Sequence, residues 1–142
     1  MAQATYDDVK LILKLYDMRR EERMRVARAW FVGNFKSKTM AAMNELCPPG
    51  SDQNASMRMV ITYWDMAASF VTAGVLNEEL FFQSGRELLL VWLRIQPVAA
   101  EVRAAYNDPG SWKNLETVAN SYIAWLKKTS PGAYEAFAAR IG

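Results

Sequence analysis

Apolar residues in this chain return every three or four positions, in blocks long enough to be helices and separated by clear stop signals. Val9, Ile12, Leu13 and Tyr16 repeat in this way. Thr5 and Asp8, just before them, have the spacing of a capping box, and Asp7 and Asp8 suit the positive end of a helix dipole. Nothing breaks the pattern before Gly33. It therefore predicts one long helix over about 6–33, or two nearly collinear helices meeting near Arg19–Glu22. A short helix over 37–46 follows, with Met40, Met43 and Leu46 on one side. It is stopped by Cys47-Pro48-Pro49-Gly50, because two prolines cannot continue a helix.

The next block, about 55–73, is apolar around most of its circumference. Met57, Val60, Ile61, Trp64, Ala68 and Val71 form one face, and Met59, Tyr63, Met66 and Phe70 form a second row. Such a helix belongs in the middle of a bundle. Gly74 sits where a left-handed terminating residue is wanted, with Val75 able to touch Phe70. Asn77 then caps a new helix that carries Glu78 and Glu79 in its first turn. The reversal at 74–77 predicts an antiparallel hairpin of 55–73 and 78–95.

Gly85, inside the second arm, costs about 1 kcal/mol against alanine; it either breaks the helix or lets another backbone come close, and close approach is the favoured reading. Pro97 ends or kinks that arm, and a short helix over 98–106 follows. After a turn at 107–111, a helix over 112–128 points Leu115, Ala119, Tyr122, Ile123 and Leu126 inward. Ser130 and Pro131 open a last helix. No stretch alternates with period two beyond a few residues, so no sheet is expected. The prediction is an all-α fold, a compact helical bundle of about six or seven helices around that central antiparallel hairpin. One domain covers 1–142.

Composition narrows the chemistry. With 51% hydrophobic residues in 142, the chain needs neither disulfide nor metal to hold a core. It has no histidine and one cysteine, which removes imidazole general bases, Ser-His-Asp and Cys-His arrangements and His/Cys zinc sites. The glycines are scattered, so no phosphate-cradling loop is present. No catalytic residue, cofactor or metal ligand is assigned on these grounds. The lone Cys47, with no histidine to activate it, reads as inert and fits a reducing cytoplasm. Met1 to Asp8 lacks a signal-peptide layout. The longest uncharged run, Met66 to Asn77, is too short for a membrane span, which needs about 20 residues.

Two segments resemble a family of small all-helical bacterial proteins classed only as a domain of unknown function. One is Leu15-Tyr16-Asp17-Met18-Arg19-Arg20-Glu21, continuing through Met24 to Phe31. The other is Arg58 to Ser69, followed by Gly74-Val75-Leu76-Asn77-Glu78-Glu79-Leu80-Phe81. The likeness covers roughly residues 10–95. It implies a helical fold in a bacterial cytoplasm and brings no activity or site residues with it.

Several side chains could carry chemistry. Arg19, Arg20, Arg23, Arg25 and Arg28 form a basic stretch. A nucleic-acid stripe lies along one line, whereas these arginines spread around more than one face and are partly neutralised by Asp17, Glu21 and Glu22. They read as a solvated helix face, not a nucleic-acid site. Asp65 lies beside Tyr63 and Trp64 in a very apolar helix. A buried carboxylate has a raised pKa and can act as an acid or base. Alternatively, Asp65 pairs with Arg19, Arg20 or Arg28 and locks two helices together, in which case Asp65→Asn lowers the melting temperature. With Arg58 and Tyr63 these residues form the candidate polar cluster Arg19, Arg20, Arg28, Arg58, Tyr63 and Asp65. Glu78 and Glu79, with Asp65 or Glu87, have the oxygen ligands of a divalent-cation site but read as dipole partners.

Two functions remain open. One is an interaction or self-association module, a homodimer or a binder of a partner protein, using Met18, Met40, Met43, Leu90 and Trp125. The other is a small-ligand-binding protein or His-free enzyme with an Asp/Arg-lined interhelical cavity.

Overall fold

The structure, a computed structural model, describes residues 2–142. Eight helices and no strand occur among the described residues: α1 (Tyr6–Arg20), α2 (Glu22–Asn34), α3 (Met40–Leu46), α4 (Asp52–Thr72), α5 (Glu78–Phe82), α6 (Arg86–Ala105), α7 (Lys113–Thr129) and α8 (Ala133–Ile141). None of them is long and apolar enough to cross a membrane.

Local signals account for most boundaries. Thr5 and Asp8 form the capping box that opens α1. The N-terminal pattern resolves into two helices, broken at Glu21. Glu21 is extended (φ −59°, ψ 143°), and its carboxylate accepts the backbone N–H groups of Arg23 and Met24, both at 3.2 Å. It thereby caps α2. One extended residue between two helices turns the axis, so α1 and α2 form an elbow instead of a straight rod. At the end of α4, Gly74 takes φ +78°, and the N–H groups of Val75 and Leu76 return to the Phe70 carbonyl at 3.0 and 2.9 Å. The Asn77 side chain then accepts the Leu80 N–H at 2.8 Å and starts α5.

Three features depart from the periodic reading. The arm after Asn77 is interrupted: α5 ends at Phe82 and α6 begins only after Gly85. A Cβ on Gly85 would lie 2.8 Å from the Phe81 ring, so close approach and helix break occur at the same residue. Pro97 ends nothing, because α6 runs through it to Ala105. Ile95, Val98, Ala99 and Val102 are all buried, and their shared core offsets the one backbone hydrogen bond that proline forgoes. Finally, the centre is not the predicted hairpin. α4 lies at the middle but packs chiefly on α2 and α7, while α6 packs chiefly on α7.

The core is aromatic as well as aliphatic. Trp64 and Trp92 are buried, as the pattern implies. Phe31 and Phe35 stack at 4.9 Å between centroids, and Phe82 and Tyr122 at 4.5 Å.

The two helical-region glycines make a contrasting pair. Gly33 has nothing within 4 Å of an added Cβ, whereas Gly85 meets the Phe81 ring. Gly33→Ala is expected to stabilise the protein by about 0.5–1 kcal/mol, and Gly85→Ala to destabilise it by about 1–3 kcal/mol. Urea unfolding midpoints at unchanged slope check both, and equal shifts for the two variants would contradict this account of the break.

Candidate functional site

Glu87, in the first turn of α6, gathers side chains from two other helices and, through one of them, the end of a third. Arg28 of α2 donates to it twice, from Nε to Oε2 at 2.7 Å and from Nη2 to Oε1 at 3.1 Å. Trp64 of α4 donates its indole Nε1–H to Oε2 at 2.9 Å. The remaining Arg28 nitrogen, Nη1, donates to the Arg19 carbonyl at the end of α1, at 3.1 Å. A bidentate guanidinium–carboxylate pair is among the stronger polar contacts a protein makes, and a helix N-terminus favours the anion. Neighbouring positions on α4 then reach different helices: Trp64 turns to α6, while the Tyr63 hydroxyl donates to the Leu15 carbonyl of α1. Arg19 closes the cluster, its guanidinium 5.5 Å from the Trp64 ring and 5.1 Å from the Tyr16 ring. Burial pushes the Tyr63 phenol up, against the pull of Arg19 and Arg28.

All three Arg28 nitrogens and both Glu87 oxygens are thus engaged within the protein. The arrangement locks four helices and presents no free base or nucleophile.

Of the residues singled out from sequence, Arg19, Arg28 and Tyr63 come together here. Asp65 is elsewhere. Its Oδ1 accepts the Leu115 N–H at 3.0 Å, at the start of α7. The cap residue of α7, Trp112, has a left-handed backbone (φ 61°) and supplies no side-chain cap, so Asp65 fills that role from another helix. Burial raises the Asp65 carboxyl and the Leu115 amide opposes that rise. Among the described residues Asp65 makes no ion pair with Arg19, Arg20 or Arg28. Arg20 is exposed, with its guanidinium 5.2 Å from the Tyr16 ring. Arg58 is also exposed and lines a separate cavity near α3. Among the described residues no three or more acidic or thiol side chains gather where a metal ion could sit.

Three working polar residues escaped the sequence reading: Glu87 as the hub, Asp8 beyond its own helix, and Arg94. Asp8 accepts the backbone N–H of Thr5 at 2.7 Å and that of Asn77 at 2.8 Å, joining the starts of α1 and α5. Those two amides hold its carboxyl below the usual range, Thr5 first. Arg94 is buried without a carboxylate. It donates Nη1 to the Val32 and Phe35 carbonyls and Nη2 to the Ile141 carbonyl, each at 2.9 Å. These lie at the negative ends of α2 and α8. A lone arginine in the apolar run Leu88–Ile95 was the available signal.

The apolar surplus lies elsewhere. Of the residues expected off the core faces, Met43 is buried, Met40, Leu90 and Trp125 are half-buried against the core, and Met18 is exposed. The larger exposed apolar surface is on α1. Tyr6 (72% exposed), Val9, Leu13 (57%) and Tyr16 form one outward stripe. The helical repeat of Val9, Ile12, Leu13 and Tyr16 is real, but of these only Ile12 is half-buried; α1 buries Asp8 and Leu15, with Leu11 half-buried, on a different side. Near its end, Met18 borders a groove of about 530 Å³ against α4, shared with Met24, Met59 and Met66.

A family model described as "Domain of unknown function (DUF4760)" matches residues 4–125, which reaches from the α1 cap to α7. No curated protein and no solved structure matches the chain.

Glu87 and Asp65 should respond oppositely to amide substitution. Glu87→Gln leaves Arg28 with a weaker partner and is expected to cost about 1–2 kcal/mol, read as a lower melting temperature. Asp65→Asn keeps an acceptor for Leu115 and removes a desolvated charge. Because the folded state holds the Asp65 proton more tightly than the unfolded chain, wild-type stability carries a component that falls as pH rises through the Asp65 titration. Asp65→Asn is therefore expected to melt at or above wild type at pH 7 and to lose that component, while Asp65→Ala loses about 1 kcal/mol with the cap. A loss in Asp65→Asn as large as in Glu87→Gln would reverse the assignment.

Proposed function

The chain belongs to that family of domains of unknown function, and on this premise we propose that it is a non-catalytic interaction module that associates with a second copy through the outer face of α1. The observation that carries this reading is the stripe of Tyr6, Val9, Leu13 and Tyr16, four large apolar side chains exposed together on one helix. Single exposed apolar residues are ordinary, whereas a contiguous row of them marks an interaction surface. Lys10 lies 4.9 Å from the Tyr6 ring and Arg20 5.2 Å from the Tyr16 ring, so cations flank the row at both ends. That is the apolar centre and polar rim expected of an interface.

The alternative of a ligand-binding protein or His-free enzyme built on Asp65 with Arg19, Arg20 or Arg58 has less support. Asp65 is bound to α7, Arg19 and Arg20 stack on Tyr16, and the cavity that Arg58 lines does not include Asp65. A bacterial, cytoplasmic setting belongs to the same proposal and rests on the lone cysteine and the family resemblance.

Sedimentation velocity over a concentration series tests the proposal. Wild type is expected to shift from monomer toward dimer, and Val9→Lys/Leu13→Glu to remain monomeric with an unchanged circular-dichroism melt, since both side chains are exposed. A wild type that stays monomeric up to about 1 mM, where a free energy of only about 4 kcal/mol would register, overturns it.

A further inference from the structure

We propose that the cavity enclosed by α3, the 47–51 loop, the first half of α4 and the turn between α6 and α7 binds a small aromatic carboxylate. The cavity measures about 320 Å³, at the lower end of the range for small-molecule sites. Its walls are of three kinds. Met43, Met57 and Val102 are apolar, Tyr106 and Trp112 bring aromatic side chains, and Asn44, Asn54 and Ser111 are polar and uncharged. Its one charged lining residue is Arg58. The groove beside Met18 includes Glu21, and the cleft beside Val26 includes Glu22 and Asp52 with Arg23. A lone cation beside aromatic and apolar walls, with neutral amide and hydroxyl groups at hand, selects a ligand that carries an anionic group and a flat ring.

Arg58 is available for that role. Its guanidinium makes no hydrogen bond or ion pair with the described residues, unlike those of Arg28, Arg94 and Arg103. A guanidinium presents paired donors that match a carboxylate edge to edge. The nearby acid of the turn, Asp108, is occupied: its Oδ1 accepts the Gly110 N–H at 3.1 Å and its Oδ2 the Ser111 hydroxyl at 3.0 Å.

The turn that carries Trp112 is also held in advance, while Tyr106 is exposed at the rim. Trp112 (φ 61°) and Asn107 (φ 51°) are the two non-glycine residues with a left-handed backbone among the described residues, and both belong to this turn. Asparagine adopts this conformation readily, whereas at Trp112 it costs about 1–2 kcal/mol. The turn keeps it through Arg103, which donates Nε to the Ser111 carbonyl at 2.8 Å and Nη2 to Glu116 at 3.1 Å. A turn strained in this way and braced from outside is typical of positions where a side chain must be presented to a ligand.

Proton–nitrogen NMR on the intact chain tests this, following the Trp112 indole resonance, assigned with Trp112→Phe, while phenylacetate or its neutral isostere phenylacetamide is added. Phenylacetate is expected to shift that resonance saturably with a Kd below about 1 mM. Phenylacetamide should bind at least about tenfold more weakly, and Arg58→Gln should weaken phenylacetate by about tenfold with an unchanged melting curve. The proposal is overturned by no saturable shift up to about 10 mM phenylacetate, by equal affinity for the two probes, or by wild-type affinity in Arg58→Gln.

Discussion

One carboxylate sets the relative placement of four helices. Glu87 takes two hydrogen bonds from Arg28 and one from Trp64, and Arg28 spends its last nitrogen on the end of α1. The pair is neither fully buried nor free in solvent, with side-chain exposures of 25% and 19%. Such pairs add modest net stability, because desolvation offsets much of the attraction. Their stronger effect is on alternatives. A bundle that docks α2 or α4 one turn out of register leaves a guanidinium, an indole N–H and a carboxylate without partners, and each orphan costs about 1–3 kcal/mol. Apolar faces alone discriminate poorly between such registers, since α4 is greasy around most of its girth.

The same economy runs through the rest of the polar interior. Asp8 serves the start of α5, Asp65 the start of α7, and Arg94 the ends of α2 and α8. Helix ends carry unsatisfied backbone groups, and here side chains from other helices satisfy them. These ionisable groups are therefore occupied in building the fold, and none is left poised over a cleft to move a proton. What the bundle leaves unused is mostly apolar: the exposed row on α1 and the methionine groove near its end. Arg58 is a charged side chain left free beside a partly open cavity, which separates it from the structural arginines.

How much of this was legible in the sequence depended on the range of the interaction. Caps and stops were legible because their partners lie within six residues, as with Thr5 and Asp8, Leu76 and Phe70, or Asn77 and Leu80. The break at Gly85 was half-legible; the glycine signalled crowding but not that the Phe81 ring would crowd it. Pro97 misled because the burial on both sides of it is a tertiary fact. The sequence suggested an ion pair of Asp65 with Arg19, Arg20 or Arg28; the structure instead pairs Arg28 with Glu87 and gives Asp65 to the Leu115 amide. Both acids lie on apolar helices, and only the packing of α6 and α7 decides which one meets α2. The stripe on α1 shows a deeper ambiguity, since periodicity reveals an apolar face without saying what covers it.

The most direct test of the lock is a double-mutant cycle between Arg28 and Glu87, using Arg28→Met, Glu87→Gln and the combined variant, with unfolding free energies from urea titration. The account predicts non-additivity: after the first substitution the second costs at least about 1 kcal/mol less than it does alone. Losses that simply add, to within about 0.3 kcal/mol, would mean that the two side chains are neighbours without being partners, and the claim that Glu87 organises the bundle would fall.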